Sequence, residues 1–496
     1  MTLISSPRPR PRPRSLILAL ALAFTVFFTF SRLGSGIQQL FVSNNLLHPS
    51  GIDKEELHAQ VDFWRRFTAV LREHAPTSAS PIRLSDSNLD ISFAAEDRHR
   101  PDLLLVPHNY VDVMREAHNG FVANIKFLRD ADRKSLKIPY TPGTRGIVST
   151  AGGSYLAVFV ISLRMLRRTG STLPVQVFLA SHQEYEAHIC NVVLPELNAK
   201  CVVLSEILDA APATVEISRY QYKILSILFS SFEEVLFLDS DAFPVQDPEA
   251  LFDSEPFTIT GLVLWPDFWY TSESPAYFAI SSQATPSLKE RQSTESGEIL
   301  YSKPRHELSL LLATYYNIYG PAHYYPLQSQ GAPGEGDKET YGLAAVALGE
   351  PLYHVAEPVR AIGIFNPETG SIDGSAMVQY DPRDDYVRRS NNKFVSVDPV
   401  DAPAAHPFFV HANFPKFNPA TIWANPGPTR NTDGSFRRVW DDGRTIGGFG
   451  FDVERRFWEE IKWTACELET KFNSWKGLVG VCKVATEYWN AVFGQR

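Results

Sequence analysis

The sequence predicts an α/β fold built on a mostly parallel central sheet. Three observations carry that expectation. Short apolar strands alternate with amphipathic helical stretches from Ile138 onward. Each strand runs apolar without a polar face, as strands covered on both sides do. Glycine-rich or acidic turns follow several strand ends, where ligands bind in open α/β sheets.

The elements follow in order. Gly146 to Thr150 reads as a strand ending in Ala151-Gly152-Gly153, followed by a helix from Tyr155 to Arg168. Pro174 to Ala180 is the next strand, with a helix near 183–194 and a further strand from Lys200 to Leu204. Tyr220 to Phe232 has helical character and precedes the buried strand Glu234 to Leu238. Upstream, Ile52 to Glu73 places Leu57, Val61, Trp64, Phe67 and Leu71 at helical spacing. Residues 75–100 read as linker, and 103–128 as an amphipathic helix entering the main domain.

The N-terminus suggests an address. Residues 7–14 alternate proline and arginine, a stiff basic tail. The uncharged apolar run Ser15 to Phe30 follows. As a helix, its 16 residues rise roughly 24 Å, enough for a thin early-secretory bilayer. The arginines before it place the tail in the cytosol. The expected layout is a cytosolic tail at 1–14, a transmembrane signal anchor at 15–31, a lumenal stem at 32–100 and a catalytic domain at 101–496. A cleaved signal peptide is the alternative; either places the remainder in the secretory lumen. Cys190, Cys201, Cys466 and Cys482 form two near pairs, open to local disulfides or to buried thiols. With 47 basic against 56 acidic residues, and no basic stripe beyond the tail, nothing favours nucleic-acid binding.

Two Asp-x-Asp triplets occur. Asp130-Ala131-Asp132 sits among charges and reads as a solvated face. Asp239-Ser240-Asp241 instead ends an apolar strand. Two carboxylates there repel one another and lose solvation unless a cation sits between them. A divalent ion bridging to a diphosphate resolves the conflict. His411, past the short strand Phe408 to Val410, is the candidate third ligand of a Mn²⁺ site. Lys416 is placed to neutralise a departing phosphate. Thr150, Gly152 and Gly153 could admit a nucleotide close to the backbone, and Tyr220 and Lys223 open the helix before the aspartate strand. Glu295-Ser296-Gly297-Glu298 and Gly331 to Thr340 read as acidic loops offering carboxylates to hydroxyls. Trp265 to Trp269 joins aromatic rings to Asp267, a mixture suited to a sugar face.

The run Tyr220 to Asp241 resembles the fungal Golgi α-mannosyltransferases of glycosyltransferase family 71. So do Gly261 to Trp269, Glu295 to Gly297, Ser329 to Thr340 and Phe409 to Lys416. Order and spacing are most similar to the α-1,2-mannosyltransferases that branch the mannan outer chain, over roughly Tyr140 to Lys416. The resemblance implies a GT-A-like fold, GDP-mannose as donor, Mn²⁺ as cofactor and an acceptor mannose on mannan or an N-glycan. It implies a single-pass Golgi membrane protein, open to association in a mannosyltransferase complex. It carries the metal and diphosphate role onto Asp239 and Asp241, with His411 as ligand and Lys416 on phosphate. An α-linked product from GDP-mannose means retention. Asp337, Glu335 and Asp267 are the candidates for acceptor activation. An α-1,3 linkage, another nucleotide sugar, or a non-catalytic lectin-like subunit of a Golgi glycosylation complex are the competing expectations.

Overall fold

A computed structural model of the chain describes residues 53–84, 100–131, 136–211, 215–288, 290–366, 371–391, 405–423, 427–440 and 447–494. The expected tail and signal anchor lie outside the described residues. Among the described residues no helix is long and apolar enough to cross a membrane.

A seven-stranded sheet organises the molecule. Its strands are β1 (Thr141–Thr150), β2 (Val175–Leu179), β3 (Ala199–Val203), β4 (Phe232–Leu238), β6 (Leu262–Tyr270), β7 (Gln292–Ser302) and β8 (Tyr353–His354), β5 belonging to a second sheet. Their order is β8-β6-β7-β4-β1-β2-β3. β7 runs antiparallel to both neighbours, and the remaining pairs are parallel. The mostly parallel sheet predicted from the apolar strands is therefore present, with one reversed strand inserted beside β4.

β5 (Ala242–Pro244) starts the second, four-stranded sheet with β9 (Arg360–Asn366), β10 (Ser371–Tyr380) and β11 (Pro407–His411), in the order β9-β10-β11-β5. The chain leaves one sheet at Leu238 and enters the other at Ala242, so Asp239-Ser240-Asp241 is the junction. Phe243 and Val410 from the second sheet join a core with Trp440, Phe457 and Trp458.

Helices α1 (Lys54–Glu73), α2 (Tyr110–Ala131), α3 (Tyr155–Arg168), α4 (Gln221–Phe229), α5 (Glu307–Ile318), α6 (Thr340–Leu348), α7 (Val453–Glu467) and α8 (Val481–Val492) complete the frame. Near 183–194, where a helix is expected, a 3₁₀ turn at His182–Glu184 precedes a continuous helical stretch over 187–196 that widens to π at Ile189–Val193. The Cys190–Cys201 disulfide ties this segment to β3, and Cys466–Cys482 joins α7 to α8. The motif Glu295 to Glu298, expected as a loop, lies inside β7. Its polar residues face the site, so it lacks the apolar run that marks a buried strand.

α1 falls within the range expected as stem. It packs as part of the same compact unit, Lys54–Arg496. Trp64 is wholly buried, its ring 5.7 Å from that of Phe229, and its indole Nε1 donates to Ala211 O at 2.9 Å. Gln60 Nε2 donates to Phe229 O at 2.6 Å, which satisfies a free carbonyl at the end of α4. α1 thus braces the helix that leads into β4. Truncating Trp64 to alanine should remove ~3–5 kcal/mol of stability, the usual cost of emptying a large aromatic site. Chemical denaturation of the purified region Lys54–Arg496 checks this; a midpoint equal to wild type would show that α1 is only loosely attached.

Candidate active site

Two strand pairings assemble the site. In β4/β7 Leu238 stands opposite Glu298, and Asp239 N donates to Gly297 O at 2.8 Å. That brings Asp239 beside Glu295. In β5/β11 Ala242 stands opposite His411, and Ala412 N donates to Asp241 O at 2.8 Å. That brings Asp241 beside His411. Residues about 60 and 170 positions away are thereby fixed by backbone ladders rather than by loops.

The ligand atoms of Asp239, Glu295 and His411 all lie within 4.8 Å of one another. His411 Nδ1 is 3.1 Å from Glu295 Oε1, and its Nε2 is 3.2 Å from Asp241 Oδ1 and 3.9 Å from Asp239 Oδ2. Lys416 Nζ bonds Asp241 Oδ2. Glu295 Oε1 accepts from Gly297 N at 2.7 Å, and the buried Glu298 carboxyl, whose pKa burial and Glu295 push up, hydrogen-bonds to Glu295. Gly297 is required for this approach: a Cβ there would stand 2.5 Å from His411 Nδ1. The expected set of Asp239, Asp241 and His411 is thus gathered in one place, and Glu295 joins it. Two carboxylates and an imidazole form a donor set suited to a hard or borderline divalent cation.

Electrostatics explain the rest of the cluster. Burial alone would lower the Lys223 ammonium, but the combined field of Asp239, Asp337 and Glu295 holds it above the usual lysine range. Its Nζ donates to Ser296 O at 2.7 Å and lies 3.2 Å from Asp239 and 3.6 Å from Asp337 Oδ2. Burial raises Asp239, with Lys223 and His411 opposing. Burial would also raise Asp241 and Glu295, yet both are held well below the carboxylate range, chiefly by His411. Burial would lower His411, but Glu295 and Asp241 lift its pKa well above the ordinary value.

These groups line one cleft of about 990 Å³. Thr150, Gly152 and Tyr220 also line it, together with Lys223, Asp239 and Lys416. Gly153 does not; its φ of +54° turns the chain into α3, and a Cβ there would meet nothing within 4 Å. Asp267 and Asp337 also line the cleft. Asp337 Oδ2 accepts from Tyr341 OH at 2.8 Å, and Asp267 Oδ2 pairs with Lys338 Nζ at 2.8 Å. Burial raises Asp267, with Lys338 opposing. Glu335 is not among the cleft-lining residues; it turns back to accept from Gly331 N, closing its own loop. Trp269 and the exposed Tyr220 stand in the cleft wall as aromatic faces. Asp130 pairs with its neighbour Arg129 at 2.9 Å on an exposed surface.

The sequence reading overlooked Glu295 as a ligand and Glu184 as a cleft residue. The available signal for Glu295 was the glycine two positions later, where a partner side chain needs room.

Replacing Glu295 by glutamine should weaken binding of a divalent cation at least about tenfold, whereas Asp130→Asn should leave it unchanged. Calorimetric titration of both variants with Mn²⁺ as the probe checks this; equal affinities would remove Glu295 from the site.

A family model described as "Mannosyltransferase putative" matches residues 144–294 and 287–381. The α-1,2-mannosyltransferase MNN21 of Candida albicans is 34% identical, with 85% of this chain and 73% of that protein covered. The α-1,2-mannosyltransferase MNN5 of Saccharomyces cerevisiae is 29% identical, with 76% of each chain covered. The chain spans 54%, 60% and 56% of three further Candida albicans relatives. Among solved structures, the galactosyltransferase LgtC in complex with donor and acceptor sugar analogs shares 16% identity over 56% of this chain and 90% of that one. Its TM-score of 0.31 is too low to bear on the site. Asp239, Asp241 and Glu295 fall inside the residues matched and His411 beyond them; with the 34% identity to MNN21, the chain belongs to this mannosyltransferase family of glycosyltransferases.

Proposed function

We propose that this protein transfers mannose from GDP-mannose to a mannose residue of a mannan or N-glycan outer chain, forming an α-1,2 link with retention. The observation that carries the reading is the convergence of Asp239, Glu295 and His411 with Lys223 and Lys416 in one cleft. That is the charge pattern a nucleoside-diphosphate leaving group needs. The proposed setting is a GT-A-type domain, anchored as a single-pass protein and facing the Golgi lumen. The N-terminal apolar run supports that setting.

Asp239, Glu295 and His411, with Asp241 alongside, would hold Mn²⁺. Such an ion supplies charge neutralisation for the departing diphosphate. Lys416 leans on Asp241 with its ammonium exposed toward the cleft, so it can shift to phosphate oxygens as the sugar bond breaks. Lys223 holds Asp239 and Asp337 in place from beneath. The aromatic faces of Trp269 and Tyr220 offer stacking surfaces for sugar rings, and Asp267 offers an acceptor to a hydroxyl. In same-face attack, the acceptor oxygen bonds C1 as the C1–phosphate bond breaks, and the hydroxyl proton passes to the departing phosphate. Asp337 is tied by Tyr341 and Lys223, which suits positioning. Asp267 is the better group for ordering the acceptor.

Purified lumenal protein with GDP-mannose, Mn²⁺ and α-mannobiose should give a trisaccharide whose new linkage NMR identifies as α-1,2. Asp241→Asn should lower turnover by about 10²–10³-fold or more, because it weakens the hold on Lys416 and the cation together. Full activity with EDTA, or in that variant, would defeat the metal reading. Asp267→Asn should raise the acceptor KM with little change in donor KM; the opposite pattern would place Asp267 on the donor.

A further inference from the structure

The cleft continues beyond the carboxylate cluster along the carboxyl ends of the parallel strands. β4 carries Asp239, its neighbour β1 ends at Thr150, and β2 beyond it leads into Ala180. Two interstrand steps separate β4 from β2, ~10 Å in all. That is about the reach from a diphosphate, across its ribose, to the edge of the base.

This end of the cleft is lined by Ala151, Gly152, Phe178, Ala180, Glu184 and Tyr222. Glu184 is the carboxylate among them. Its Oε2 accepts from Ala180 N at 2.8 Å, and its Oε1 has no hydrogen-bond donor among the described residues. The carboxylate lies flat against the turn after β1: a Cβ on Gly152 would stand 2.3 Å from Glu184 Cδ. The aromatic ring of Tyr222 is held beside it by a 3.0 Å bond from its hydroxyl to Ile217 O. The turn itself does not need a charge at this position. Ser181 Oγ already caps the 3₁₀ segment by accepting from Gln183 N, and an amide oxygen would serve Ala180 equally well.

An acceptor-only carboxylate matches one base edge in particular. Guanine presents two adjacent donors, N1–H and the N2 amino group. Uracil flanks its single N3–H with carbonyl oxygens, and adenine presents a bare N1, so both set lone pairs against the carboxylate. We propose that Glu184 reads the guanine edge and makes this site selective for guanosine nucleotides. The proposal rests on the nucleotide-sugar reading above and names the residue that chooses the base.

Calorimetry of GDP, IDP and UDP, each with saturating Mn²⁺, tests it on wild type and Glu184→Gln. IDP differs from GDP by loss of the N2 amino group. Wild type should bind GDP about tenfold tighter than IDP, and UDP weakest. In Glu184→Gln the GDP affinity should fall about tenfold and the GDP-to-IDP ratio approach one. A wild type that prefers GDP, with the ratio unchanged in the variant, overturns the role of Glu184 and leaves the donor reading standing. A wild type that prefers UDP overturns both. Should Glu184→Gln not fold, Gly152→Ala, which displaces the carboxylate, is read by the same ratio, and an unchanged ratio again overturns the proposal.

Discussion

Everything around the cleft answers to one constraint: three carboxylates, Asp239 and Asp241 at a strand junction and Glu295 inside β7, are drawn together. Withdrawing such groups from water costs several kcal/mol each unless opposite charge is supplied. The protein supplies it from three directions. Lys223 comes from α4, His411 from β11 and Lys416 from the segment after it. Each of those partners depends on a different packing layer. α4 is braced by α1, β11 is held by β10 and β5, and the second sheet is backed by α7. The site is therefore not decoration on a finished scaffold, since its charges set what the surrounding layers have to hold.

His411 occupies the centre of this arrangement. Both ring nitrogens face carboxylates, and Glu295 and Asp241 favour positive charge on the ring. Asp241 is shared between His411 and Lys416. The other two carboxylates of the cleft are already balanced: Asp267 by Lys338, and Asp337 by Tyr341 and Lys223.

Much of this was legible in the sequence because local chemistry marked it. The apolar strand before Asp239, the helix at Tyr155–Arg168 and the short strand before His411 all carry periodicity that a reader can count. Glu295 was not legible as a ligand, because its strand is polar where it faces the cleft and so resembles a loop. Its partnership with Asp239 comes from a pairing across some sixty residues that no local pattern encodes. Glu335 was drawn toward the site by the company of Asp337, and only the backbone turn at Gly331 shows it facing away. α1 looked like stem because it precedes a polar, proline-containing stretch, while its aromatic face is spent on α4.

The junction at Asp239-Ser240-Asp241 has one more consequence. On either side the chain is locked into a ladder, β4 with β7 and β5 with β11. A residue added between them would push one carboxylate ~3.3 Å along its path and reverse the face it presents. The length of this spacer is therefore set by the two ladders that flank it. Divergence here has to proceed by exchanging side chains within a gauge that cannot itself be altered.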